Sequence, residues 1–136
     1  MTAAEQPRPL AARRLRDWIL SRRMTFGTEL ELQDAIADRL AGEVRLGRPI
    51  TNVGREVTLD ARSRIDFLVE LDRVPVGVEV KIHSSRADVV RQLTRYAAFP
   101  TIHELLLVTT KAIHHNIPTE LGGKPVVLCS LVGAAL

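Results

Sequence analysis

Three residues in this chain have the types and spacing to do chemistry together. Asp66 lies inside the apolar run Ile65-Asp66-Phe67-Leu68-Val69, and Glu79-Val80-Lys81 follows at the end of a second apolar run, Val76 to Ile82. Glu79 and Lys81 are two residues apart, so on a strand their side chains leave the same face. If the two runs pair, Asp66 and Glu79 meet at one edge of a sheet with an ammonium beside them. Two carboxylates bind a hard divalent cation through oxygen. A cation placed there can polarise a phosphoryl oxygen, orient or deprotonate water and neutralise the charge of a transition state, while a lysine positions the attacking water. That is the equipment of phosphodiester hydrolysis. An isolated Glu-Val-Lys triplet is more often an ordinary half-exposed strand, so the elements around it must decide.

Those elements begin with an amphipathic helix marked by Leu10, Leu15, Trp18, Ile19 and Met24, after a Pro-containing lead-in over residues 1–9. Thr28 is a plausible N-cap for a second helix, with Glu29 and Glu31 in its first turn. Leu32, Ile36 and Leu40 give it one apolar stripe; Glu29 falls on that inward side and Glu31 points away from it. Gly47, Pro49 and Gly54 punctuate a polar stretch before the segment 55–60. Residues 64–71 and 76–82 then read as strands joined at Asp72-Arg73, completing a three-strand meander. Ser85 with Asp88 resembles a capping box for a helix that ends near Phe99-Pro100, and Glu104 to Thr109 is apolar enough to be a strand covered on both faces. A weak helix or loop over 114–121 precedes a last strand, 125–131. The expectation is an α/β fold, a mixed central sheet flanked by helices, with the 85–99 helix as a crossover that makes two strands parallel.

Asp66, then Glu79-x-Lys81 at a strand end, preceded by the helical Glu29 and followed by a helix carrying Gln92-Leu93-Thr94-Arg95-Tyr96, resembles the PD-(D/E)XK nuclease superfamily. The Gln-x-x-x-Tyr helix is similar to that of its RecB-like and CRISPR-associated exonuclease branch. The likeness spans roughly residues 29–109 and rests on the order and spacing of the motifs. It implies a restriction-endonuclease-like αβββαβ core. It also implies Mg²⁺, with Mn²⁺ able to substitute, held by Asp66, Glu79, the Val80 carbonyl and Glu29, with Lys81 handling the water. Gln92 and Tyr96 would line the site or contact DNA, the Tyr ring serving as a stacking surface. Ile65 stands where the motif's proline would be, and with Cys129 as the lone cysteine an iron–sulfur subtype is excluded.

The remaining features bear on partners. Residues 1–23 carry a charge of +4 while the other 113 residues sum to −1, so Arg13, Arg14 and Arg16 are candidate phosphate contacts, although a solvated helix face would look the same. Lys111 lies just past the 104–109 strand, where open α/β sheets bind ligands, and is another candidate. His83, His103, His114 and His115 lack the spacing of a helical zinc site and read as loop or surface residues. Cys129 reads as a buried, inert thiol. No apolar run is long enough to span a membrane, so a cytoplasmic protein is expected. Residues 1–24 are set apart as a basic extension and 25–136 as the nuclease domain, acting alone, as a homodimer or within a larger complex. A junction-resolving dimer and a catalytically silent binding module with the same fold are the competing readings.

Overall fold

A computed structural model describes residues 10–46 and 49–131; the expected lead-in over 1–9 and the break at Gly47 lie outside the described residues. In chain order the elements are α1 (Ala11–Leu20), α2 (Glu29–Leu46), β1 (Ile50–Asp60), β2 (Ser63–Leu71), β3 (Val74–Lys81), α3 (Arg86–Ala97), β4 (Glu104–Thr109), a 3-10 turn (Ala112–His114), β5 (Glu120–Leu121) and β6 (Lys124–Ser130). They build one mixed six-stranded sheet in the order β1-β2-β3-β4-β6-β5.

The expected meander is present, with β1, β2 and β3 pairing antiparallel. Asp72 and Arg73 make the two-residue turn between β2 and β3, both with positive φ (49° and 69°), the backbone that suits the twist of a tight hairpin. From β3 the chain crosses over through α3 and returns in β4, parallel to β3, and β6 adds parallel to β4. The short β5, not expected from the sequence, pairs antiparallel with β6 at the edge. All six residues of β4 are buried, as its unbroken apolar character requires of a strand covered on both sides.

Alternate residues of the strands feed two cores. Leu106, Val108, Val78, Val80 and Phe67 pack with Leu15 and Ile19 of α1 and with Leu32, Ile36 and Leu40 of α2. Leu105, Leu107 and Ile65 pack with Val89, Leu93, Tyr96 and Ala97 of α3. Helix α1 is therefore continuous with the first core: Ala12 and Leu15 are fully buried, so the residues that the sequence boundary at 24 sets apart pack within the same unit. No side chain of its own caps α1; its Ala12 N–H instead donates to the buried Glu104 carboxylate at 2.8 Å, a charge that suits a helix N-terminus. Cys129 is buried, and burial pushes its thiol up to about 12, in keeping with an inert role. Among the described residues no helix is long and apolar enough to cross a membrane.

Candidate functional site

The β2–β3 ladder is regular from the hairpin turn up to the pair Phe67–Val78, and beyond it side chains take over. The Asp66 N–H donates to Glu79 Oε1 at 3.2 Å, and the Val80 N–H donates to Asp66 Oδ2 at 2.7 Å. Two carboxylates thus occupy positions where main-chain rungs would continue. The strand also changes face here. Ile65 and Phe67 are two apart and belong on one side of a regular strand, yet Ile65 packs in the core under α3 and Phe67 in the core under α1 and α2. Gly77 makes room for this, since a Cβ there would lie 2.7 Å from Ile65 Cδ1.

Glu79 is 2% exposed and faces α3. Its Oε2 meets Lys81 Nζ at 3.1 Å and lies 3.5 Å from the Tyr96 hydroxyl. Helix α2 approaches the same strand end from the other side of the sheet, and Glu29 Oε1 accepts the Ile82 N–H at 2.9 Å. Of the two acids in the first turn of α2, Glu29 is the one that reaches this strand end. Glu31 is exposed and works as a cap: its N–H donates to Thr28 Oγ1 at 3.1 Å and its carboxylate takes the Thr28 hydroxyl at 3.2 Å. One turn beyond Glu29, Gln33 is buried on the same helix face, a neighbour that the sequence reading did not single out.

These groups perturb one another strongly. Burial, then the nearby Asp66 charge, raises Glu79 to about 8, and burial raises Asp66 as well. Burial alone would lower Lys81, but the carboxylates of Glu79, Glu29 and Asp66 outweigh it and hold the ammonium above its usual range. Near neutral pH the Asp66–Glu79 pair therefore retains a proton while Lys81 stays charged beside it.

Tyr96 sits differently from the sequence expectation. It is 1% exposed, so its ring offers no stacking face to a nucleotide. Its hydroxyl donates to the Arg64 carbonyl at 2.8 Å and accepts from Gln92 Nε2 at 2.7 Å, while burial and the Glu79 charge push the phenol up. The residue is a buried link between α3, β2 and the Glu79 carboxylate. Gln92, half-buried, carries the connection outward.

Lys111 is exposed two residues beyond Thr109, which pairs with Lys81, so it stands at the site's end of the sheet. The reading of all four histidines as loop or surface residues needs one correction. His83, His103 and His115 are exposed, but His114 is fully buried. Its Nε2 faces the Ser84 carbonyl and must donate, so in the neutral ring Nδ1 accepts from Thr109 Oγ1, 2.6 Å away. Thr109 Oγ1 in turn accepts the Lys111 N–H, which ties the loops after β3 and β4 together.

The arginines of α1 lie elsewhere. Helix α1 covers the sheet face opposite Glu79; Arg14 pairs with Asp72 in the β2–β3 turn, and Arg16 pairs with Asp17 at 2.9 Å. At ~3.3 Å per residue that turn is about 20 Å from Glu79 along β3. Arg13 is exposed on the same helix.

Among the described residues no three His, Cys, Asp or Glu side chains already form a metal cage. Asp66 and Glu29 each give one oxygen to a main-chain N–H, Asp66 also bonds to the Glu79 side chain, and both oxygens of Glu79 have partners. The donor set is all oxygen and its carboxyl pair carries excess repulsion, which suits a hard dication. No protein-family model, curated protein or solved structure matches this chain.

Proposed function

We propose that the protein is a divalent-metal-dependent nuclease that hydrolyses DNA phosphodiester bonds. The observation that carries the proposal is the convergence of Asp66, Glu79, Lys81 and Glu29 on the last turn of β3, from three separate elements. The order α2-β1-β2-β3-α3-β4 supports a restriction-endonuclease-like core and a PD-(D/E)XK reading.

Asp66 and Glu79 would hold Mg²⁺ or Mn²⁺, with Glu29 and the Val80 carbonyl completing its surroundings, and the ion would supply Lewis-acid stabilisation of the phosphoryl oxygens. The chain's own part is to position and to move protons. Lys81, kept charged by the acids around it, would orient a water toward phosphorus. Tyr96 and Gln92 fix the Glu79 carboxylate against α3. Lys111 stands where it can meet substrate phosphate.

A silent binding module is the second reading, favoured by the close Lys81–Glu79 contact that occupies Glu79 Oε2. Incubating the purified chain with linear, circular, single-stranded and branched DNA, with and without Mg²⁺ or Mn²⁺, separates the two. A nuclease cleaves at least one substrate only when metal is present. A silent module leaves every substrate intact in every metal.

A further inference from the structure

The outer face of α3 is basic and adjoins the site. Arg91 and Arg95 are one helical turn apart on it, both exposed, and with Asp88 and Gln92 they line a shallow concavity of about 480 Å³. Gln92 joins this concavity to the interior: its Nε2 donates to the Tyr96 hydroxyl, which reaches Glu79 Oε2. Only one buried side chain therefore separates the concavity from the acid pair. Beside it on β2, Arg64 is exposed and pairs with Glu56 at 3.2 Å, and its carbonyl accepts the Tyr96 hydroxyl. Toward the β1–β2 turn, Asp60 is held below the usual carboxylate range, chiefly by the Arg62 N–H and in smaller part by the charge of Arg95. Arg91 pairs with Asp88, but both side chains are more than half exposed, and an exposed pair of this kind exchanges readily for a phosphate.

We infer that the Arg91–Gln92–Arg95 face of α3 is the track that holds the phosphate backbone of the DNA strand, and that α1 is not. The choice of DNA as the polyanion rests on the nuclease reading; the location of the track rests on the geometry. Helix α1 lies over the opposite sheet face, away from Glu79. The α3 arginines instead border the residue that leads to Glu79.

The test is fluorescence anisotropy of the full chain with labelled single-stranded and duplex DNA across a salt series, with chelator present so that cleavage cannot interfere. Two contacts removed in Arg91→Gln/Arg95→Gln should flatten the slope of log K against log salt by about 1.8 on duplex and about 1.4 on single strands. The melting temperature should hold, since both side chains are exposed. Arg13→Gln/Arg16→Gln should leave the slope unchanged. An unchanged slope in the α3 variant, or a loss confined to the α1 variant, overturns the inference. A flattened slope in a chain that cleaves nothing with Mg²⁺ keeps the track and sinks the nuclease reading instead.

Discussion

Replacing Glu79 with Gln should stabilise the metal-free protein at neutral pH while disabling it. Burial and the Asp66 charge hold the folded-state carboxyl at about 8 against an ordinary 4.5, so the folded chain keeps a proton that the unfolded chain releases. A group with a raised folded pKa contributes its full stability below the unfolded value, and that contribution is lost as pH rises toward the folded value. The window here is therefore 4.5 to about 8. At pH 7 the wild type has lost about 3 kcal/mol relative to pH 4.5, taking 1.36 kcal/mol per unit. Gln has the same shape, keeps an acceptor for the Asp66 N–H and carries no such penalty, though it gives up the contact with Lys81 at 3.1 Å. The expected gain at pH 7 is then up to about 3 kcal/mol, or roughly 10 °C in melting temperature at this chain length. Thermal unfolding of both proteins in chelator, from pH 4.5 to 8.5, measures it. The two curves should converge at the acid end and separate steadily above it. A variant less stable than wild type at pH 8, or a gap that does not change with pH, would refute the electrostatic account of the acid pair.

Two further substitutions probe the scaffold. Tyr96→Phe removes the donor to the Arg64 carbonyl and the acceptor for Gln92, leaving polar groups unpaired at a buried position, and should cost ~1–3 kcal/mol, or roughly 3–10 °C; an unchanged melting temperature would return the ring to the surface as a stacking group. Gly77→Ala places a methyl 2.7 Å from Ile65 Cδ1 and 3.2 Å from Leu105 Cδ2 and should cost ~1–3 kcal/mol in a denaturant titration, whereas an unaffected midpoint would mean that Ile65 does not turn beneath α3.

Much of this architecture was legible because its signals are local. The Ser85 hydroxyl oxygen accepts the Asp88 N–H as its spacing suggests, the Asp72-Arg73 turn lies where the two apolar runs part, and the stripe through Leu32 and Ile36 puts Glu29 rather than Glu31 on the inward side. What the sequence hid depends on contacts between distant segments. β1 begins at Ile50, well before the expected residue 55, because an edge strand exposed along much of its length needs no alternation to hold it. Ile65 and Phe67 share a parity that predicts one face, and only the side-chain bonds of Asp66 and Glu79 divert the strand. Tyr96 and His114 are polar residues whose burial is made possible by partners 32 and 30 residues away, Arg64 and Ser84. The short β5 has too few residues to carry a pattern.

The claim that most needs a direct measurement is that Asp66 and Glu79 hold a hard dication. Mn²⁺ titrated into the full chain at pH 7, followed by electron paramagnetic resonance and calorimetry in two buffers of different ionisation enthalpy, reads it without requiring a substrate. Saturable binding accompanied by proton release is expected, because the acid pair carries a proton that the ion must displace. Asp66→Asn and Glu79→Gln should each weaken that binding at least tenfold, roughly 1.4 kcal/mol or more, while Glu31→Gln, which touches only the helix cap, should leave it unchanged. No saturable binding by the wild type, or equal binding by all four proteins, would contradict the account.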